Sequence, residues 1–307
     1  MSVDFERVMW NEQLEDDCRQ IVRLAVREDL DRYCDWTTVS LVPADARAKA
    51  NIVARDAGVI SGLRVALLAI DEMQADIGVK LLKQDGDCVV KQEIVAVLSG
   101  AARDLLTTER ILLNFVGRLS GIATLTDQYV QRAQGSNARI YDTRKTTPGW
   151  RRLEKYAVNT GGGCNHRVGL FAAVMIKDNH LALSGEHGMT PGDAVNRTKG
   201  FLAKAANDAP SLRQMIVEVE VDTVEQFRDV LPSEPDLVLL DNMSCDMLKE
   251  CVLYRDANSP NVQLEASGGV NLDTVGQIAK TGVDRISVGA LTHSAVNFDV
   301  GLDWVND

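Results

Sequence analysis

From residue 138 onward the chain repeats one pattern six times: a short β-branched or apolar run, a polar or glycine-rich end, then residues with helical spacing. The runs cover 138–141, 173–176, 215–221, 237–240, 262–264 and 285–288. Their ends read AspThrArgLys, LysAspAsnHis, GluValAsp, AspAsn, GluAlaSerGlyGly and GlyAla. Strands that alternate with helices must be joined by crossovers, so they lie parallel. An open doubly wound sheet would place its site only where the strand order reverses. A (β/α) barrel places chemistry at every strand end. The pattern therefore predicts an α/β protein whose larger part is a barrel.

The first third reads differently. Residues 13–29 carry Leu14, Cys18, Ile21, Val22, Ala25 and Val26 at helical spacing, and 62–74 does the same. Residues 49–55 alternate towards a strand. Residues 79–82 and 88–98 read as strands joined through Asp85, Gly86 and Asp87, a scaffold hairpin. A long apolar-periodic stretch, 105–133, leads into the repeating region. Gly117 and Gly121 inside it call for a bend or a close packing contact.

Charge distinguishes the segment 144–177. It holds Arg144, Lys145, Arg151, Arg152, Lys155, Arg167 and Lys177 against one acid, Glu154, a local charge of +6 in a chain of net charge -11. A reversal of this kind focuses field in a cleft suited to a small, multiply anionic ligand. Arginine forks grip carboxylates and lysine supplies a compact charge for phosphate. Arg144, Lys145, Arg167 and Lys177 fit such a role. Arg151, Arg152 and Lys155 read as the solvated face of a helical turn. The acidic remainder disfavours nucleic acid, and no run of about 18 apolar residues marks a membrane span. Six scattered cysteines without a C-x-x-C pair, and an N-terminal segment without a signal-peptide pattern, point to a reduced, cytoplasmic protein.

Other groups sharpen the site. Glu218 and Glu220 alternate onto one face of their strand and Asp241 ends the next. They could hold Mg²⁺, which takes one or two protein carboxylates, or form ion pairs with Lys145 or Lys177. Ser267-Gly268-Gly269 and Ser287-Val288-Gly289 offer backbone N–H nests for an anion. Gly161-Gly162-Gly163 reads as a mobile loop carrying ligand groups. The four histidines, His166, His180, His187 and His293, have no metal-binding spacing. His187 reads as a surface residue and Cys164 as a small packing residue.

These residues together resemble the quinolinate phosphoribosyltransferase family. The match runs through ArgGluAspLeu at 27–30, ThrThr at 37–38, LeuValPro at 41–43, ThrThrGluArg at 107–110, AspThrArgLysThrThrProGly at 142–149, AsnHisArgValGlyLeu at 165–170, IleLysAspAsnHis at 176–180, GluValGlu at 218–220, LeuAspAsn at 240–242, GluAlaSerGlyGly at 265–269 and LeuThrHisSer at 291–294. The chain departs from the family at 32–36, ArgTyrCysAspTrp, and at Ala172. The resemblance implies an N-terminal α/β sandwich domain over 1–119, with the tail 291–307 packed back on it. It implies an incomplete α/β barrel over 120–290 and a head-to-tail homodimer. The implied reaction joins quinolinate and phosphoribosyl pyrophosphate, with Mg²⁺, to give nicotinate mononucleotide, pyrophosphate and CO₂ in NAD biosynthesis. Arg144, His166, Arg167 and Lys177 would hold the quinolinate carboxylates, with Thr143 beside them and Arg110 reaching in from the partner. Lys145 and Lys177 would face pyrophosphate, and Glu220 and Asp241 would organise Mg²⁺ and the ribose. Ser267, Gly268, Gly269, Gly289 and His293 would hold the 5′-phosphate. The competing readings are a paralogous phosphoribosyltransferase acting on another base, a barrel lyase or isomerase for a sugar phosphate, and a non-catalytic binder of a phosphometabolite.

Overall fold

A computed structural model describes residues 4–184 and 188–305. His187 lies outside the described residues. The chain divides into two compact units. One comprises Arg7–Asp127, Lys145–Gly163 and the chain from Leu291 on; the other comprises the residues up to Glu6, Gln128–Arg144 and Cys164–Ala290.

The first unit is built on β1 (Arg47–Ala54), β2 (Gly58–Val59), β3 (Ile77–Leu81), β4 (Cys88–Val89) and β5 (Ile94–Ala101). A four-stranded antiparallel sheet runs in the order C-terminal strand (Val300–Trp304), β1, β5, β3. Helix Glu12–Leu30 starts where the Asn11 side chain accepts the Leu14 N–H, and it buries Leu14, Cys18 and Val22 at four-residue steps. The expected single strand 88–98 is two. β4 pairs with β2, Gln92 turns the chain in the left-handed region (φ 67°), and β5 then pairs with β3. Asp85 is more than a turn residue, since its carboxylate accepts the Leu63 N–H and the Tyr156 hydroxyl.

Helix Ala102–Ala133 runs unbroken through Gly117 and Gly121. A Cβ at Gly121 would lie 2.1 Å from the Val296 carbonyl oxygen, so this glycine lets the C-terminal segment approach the helix backbone. The Gly161–Gly163 stretch is likewise no open loop: a Cβ at Gly161 would lie 2.3 Å from the Ala123 carbonyl oxygen, and one at Gly163 2.7 Å from Thr126. The preceding helix, Arg151–Thr160, buries Leu153, Glu154, Lys155 and Tyr156, so Lys155 is not on a solvated face.

The second unit holds six parallel strands: β6 (Arg139–Tyr141), β7 (Val174–Ile176), β8 (Val217–Val221), β9 (Leu237–Asp241), β10 (Gln263–Ser267) and β11 (Arg285–Ser287). Their order is β6-β11-β10-β9-β8-β7, so the first strand returns beside the last. No ladder joins β6 to β7 among the described residues, which leaves the barrel incomplete. Helices Pro191–Ala205, Val224–Val230 and Cys245–Asn258 follow β7, β8 and β9, capped by the side chains of Thr190, Thr223 and Ser244. β9 is apolar throughout (LeuValLeuLeu before Asp241), as a strand covered on both faces should be. β8, β10 and β11 instead bury Glu218, Gln263, Glu265 and Arg285. Such a polar interior is tolerable only if its charges neutralise one another.

Candidate active site

Eleven of the fourteen residues singled out in the sequence belong to the barrel unit. Nine of these sit at or just beyond the C-terminal ends of its strands: Thr143 and Arg144 after β6, Lys177 after β7, Glu220 on β8, Asp241 closing β9, Ser267, Gly268 and Gly269 at β10, and Gly289 after β11. His166 and Arg167 occupy the segment that leads into β7. Arg110, Lys145 and His293 belong to the other unit. There Arg110 is exposed on helix Ala102–Ala133, the Lys145 carbonyl accepts the Thr292 hydroxyl at 2.7 Å, and His293 Nδ1 lies 2.7 Å from Ser294 Oγ.

Arg144 and Arg167 act on each other as like charges. Arg167 is buried, donates from Nη1 to the Ala173 carbonyl at 3.0 Å and from Nη2 to Met175 Sδ at 3.4 Å. Burial holds its pKa below the ordinary arginine value; Glu218 opposes this and the Arg144 charge adds to it. Arg144 carries a buried Nε–H with no hydrogen-bond partner. A buried donor without an acceptor is rare and costs about 1–3 kcal/mol. The folded chain thus assembles two guanidinium groups at an energetic disadvantage that an anion between them would remove.

Lys177 does have a partner: its ammonium donates to the Glu220 carboxylate. This is the ion-pair alternative for Glu220 in the unliganded protein. Glu220 and Asp241 are half-buried oxygen donors on adjacent strands, and Asn242 Nδ2 donates to Asp241 at 2.7 Å. Gly268 (φ 90°) and Gly269 (φ 60°) adopt conformations that favour glycine. A Cβ on Gly268 would fall 2.1 Å from Asn242 Oδ1, whereas the space over Gly269 is open within 4 Å. The backbone there forms a cradle closed on one side and free on the other.

Below these groups lies a buried cluster that sequence reading did not assemble. His166 Nε2 is 3.1 Å from Glu218 and 3.4 Å from Glu265, all three being buried. Burial disfavours the imidazolium, but the two carboxylates outweigh it and raise the His166 pKa to about 10. The ring's own hydrogen bonding opposes that charge. Nδ1 accepts the Arg167 amide N–H at 2.8 Å, which an imidazolium could not do, so the ring is the Nε2–H tautomer. The Glu218 carboxyl is pushed up by burial and, against His166, by Glu265. Glu265 is held low despite burial by His166 and Arg285 and stays ionised. Three side chains at this spacing resemble a metal site. The tautomer argues against it, because neither ring nitrogen has a free lone pair. Both ring nitrogens are engaged inside the protein, so His166 braces the site from beneath.

Two further residues complete that support. Asp142, fully buried, accepts the His166 amide N–H at 2.7 Å and Asn165 Nδ2 at 2.8 Å. Asp142, Asn165 and Glu265 all fall within the motifs read in the sequence, and only the fold shows that they contact protein groups inside the barrel unit. In the other unit, Glu154 gathers the loop at 147 by accepting from Thr147 N, Thr147 Oγ1 and Arg118.

Residues 122–303 match the model of the quinolinate phosphoribosyl transferase C-terminal domain, and residues 35–120 match that of its N-terminal domain. The chain belongs to the quinolinate phosphoribosyl transferase family. A relative from Mycobacterium leprae, a carboxylating nicotinate-nucleotide pyrophosphorylase, is 43% identical and the match covers 94% of this chain and 97% of the relative. A probable carboxylating nicotinate-nucleotide pyrophosphorylase from Bacillus subtilis is 37% identical over 88% of this chain and 87% of its own. Among solved structures, the nicotinate-nucleotide pyrophosphorylase of Francisella tularensis superposes with a TM-score of 0.86 at 31% identity, covering 98% of this chain and all of that one. Family membership accords with the parallel barrel unit, the antiparallel sheet unit and cations at the strand ends. Among the described residues no helix is long and apolar enough to cross a membrane.

Proposed function

We propose that this chain transfers the phosphoribosyl group of phosphoribosyl pyrophosphate to quinolinate and decarboxylates the product, yielding nicotinate mononucleotide, pyrophosphate and CO₂ for NAD biosynthesis. The observation that carries the substrate class is the guanidinium pair. Arg144 has an unmet buried donor and Arg167 a charge disfavoured by its surroundings. A dicarboxylated aromatic ring offers the planar acceptors that arginine forks match.

The chemistry needs positioning and charge more than proton transfer. The pyridine nitrogen's lone pair forms a bond to the ribose anomeric carbon as the carbon–oxygen bond to pyrophosphate breaks, with the electron pair leaving on pyrophosphate. The ring nitrogen is now cationic. It stabilises the electron pair left on the ring carbon when the carbon–carbon bond to the adjacent carboxylate breaks and CO₂ leaves, and that pair then takes up a proton. Arg144 and Arg167 orient the ring, and Lys177 supplies positive charge beside the leaving pyrophosphate. Lys145 adds to that charge in this reading. Ser267, Gly268, Gly269 and Gly289 offer a cradle for the 5′-phosphate, with His293 as a further donor.

Glu220 and Asp241 are hard oxygen donors of the kind Mg²⁺ takes in ones and twos. They would hold the ion, which supplies charge neutralisation for pyrophosphate. A cytoplasmic homodimer in which Arg110 of one subunit serves its neighbour's site completes the reading; the exposure of Arg110 leaves it available for that role.

The test is direct. Purified protein mixed with phosphoribosyl pyrophosphate, Mg²⁺ and quinolinate labelled in the 2-carboxylate should release labelled CO₂ and pyrophosphate in equal amounts. Turnover of nicotinate in place of quinolinate, or no CO₂ release, would overturn the assignment.

A further inference from the structure

The barrel unit is completed by residues far away in the chain. Residues 4–6 belong to it, although the next residues, from Arg7, belong to the other unit. Phe5 is buried in one cluster with Tyr141, Cys164, Ala173, Ile216 and Leu237, residues drawn from both free edges of the incomplete sheet and from its middle. Its ring lies 4.4 Å from the His166 ring, tilted by 33°, and beneath the fully buried Arg285 guanidinium at 5.2 Å. Asp4 anchors this segment by accepting from Arg139 at 2.7 Å and the Tyr141 hydroxyl at 2.9 Å, and it lies 3.4 Å from Arg285.

We propose that Asp4–Phe5 is a plug that fills the barrel interior and acts as a positioning element for quinolinate, by fixing the His166 ring in its Nε2–H tautomer beneath Arg167. The argument runs through three contacts. Phe5 covers one face of the imidazole and excludes water from the His166–Glu218–Glu265 cluster. Packed there, Phe5 holds the ring in the orientation that points Nδ1 at the Arg167 amide. The Nδ1 lone pair accepts the Arg167 amide N–H and so sets where the Arg167 backbone sits. Arg285 completes the balance, with Asp4 and Glu265 as its two acidic neighbours. An aromatic ring does this better than an aliphatic one because a flat face matches the imidazole and also takes a cation over it. None of these contacts involves Glu220, Asp241 or the β10 glycines, so the plug should act on quinolinate selectively over the ribosyl donor. The ligand named here rests on the function proposed above; the histidine geometry does not.

The experiment uses the full chain with Phe5→Ala, Phe5→Leu and Asp4→Asn. With only four histidines in the sequence, ¹⁵N imidazole spectra can be assigned to His166 by its loss in His166→Gln. The unmodified chain should show the Nε2–H tautomer and Phe5→Ala a mixed or shifted population. Its dissociation constant for quinolinate should rise at least tenfold, with that for phosphoribosyl pyrophosphate within twofold. Phe5→Leu should recover part of the quinolinate affinity, and Asp4→Asn should show a smaller loss of the same selectivity. An unchanged His166 spectrum in Phe5→Ala would overturn the proposal, as would equal weakening of both substrates alongside a lower Tm. Should Phe5→Ala fail to fold, the same two readouts on Phe5→Leu and Asp4→Asn decide it. If the unmodified chain does not bind quinolinate, the substrate assignment fails while the spectra still judge the plug.

Discussion

Replacing Arg167 by methionine separates binding from stability, because the surroundings of this side chain work against its charge. Of the five N–H groups of a guanidinium, one goes to the Ala173 carbonyl and one to Met175 Sδ. Three remain for an anion. Charge-assisted hydrogen bonds contribute about 1.5–3 kcal/mol each. Losing two of them, with Arg144 retained as a partial substitute, costs about 3 kcal/mol, or roughly a hundredfold in quinolinate affinity. The stability effect is different. Arg167→Met leaves the Ala173 carbonyl without its partner, about 1 kcal/mol. It also removes a buried charge whose pKa is held down by desolvation and by Arg144, which works in the opposite direction. These terms nearly cancel, and Tm should move by no more than about 4 °C. Isothermal titration with quinolinate and thermal unfolding measure the two quantities on one sample. Affinity within threefold of the unmodified chain would show that Arg167 does not face the ligand. A much larger fall in Tm would show that its charge supports the fold, contrary to the like-charge argument.

Lys177→Met should free the Glu220 carboxylate and strengthen Mn²⁺ binding about fivefold, the weight of a partly exposed ion pair, while activity falls; an unchanged titration by electron paramagnetic resonance would refute this. Burial raises the Asp85 pKa against its hydrogen bonds from Leu63, Tyr156 and neighbouring amides. An acid with a raised folded pKa costs the fold increasingly as pH rises above the unfolded value of about 4. The Tm of Asp85→Asn relative to the unmodified chain should therefore climb between pH 4 and pH 8, and a pH-independent difference would contradict it. Gly121→Ala should cost about 1–3 kcal/mol through overpacking, given a Cβ 2.1 Å from the Val296 oxygen. Gly200→Ala, in helix Pro191–Ala205 with nothing within 4 Å, should gain about 0.5–1 kcal/mol; chemical denaturation reads both, and the same sign for the two would refute the packing argument.

The barrel strands were legible because each is a short apolar or β-branched run stopped by polar residues, and the six runs fall on β6 to β11 within two residues at most boundaries. The cations were legible because a strand end is where a barrel shows its side chains. What failed depended on neighbours distant in sequence. Gln92 breaks the 88–98 run in a left-handed turn without the glycine that normally announces one. Gly161 and Gly163 look like a flexible loop until helix Ala102–Ala133 is found against their backbones. Lys155 looks solvated by its charge, yet its helix is buried along 153–158. Asp4 and Phe5 give no local sign of entering a barrel that begins more than a hundred residues later.

The interior charges explain why such a barrel can hold its ligand-facing cations without collapsing on them. On β8, Glu218 and Glu220 point to the same face but take different fates two residues apart. Glu220 is half-buried and lends its charge to Lys177, a pairing that, in the function proposed above, pyrophosphate and a divalent ion would exchange without leaving either charge bare. Glu218 is sealed in, where ionisation beside Glu265 would put two negative charges in one dry pocket. Burial pushes its carboxyl pKa up, so it competes less with the ligand for Arg167. The outer glutamate is thereby left as the exchangeable one. A swap of this kind ties the behaviour of the proposed cation site to how tightly the barrel interior excludes water.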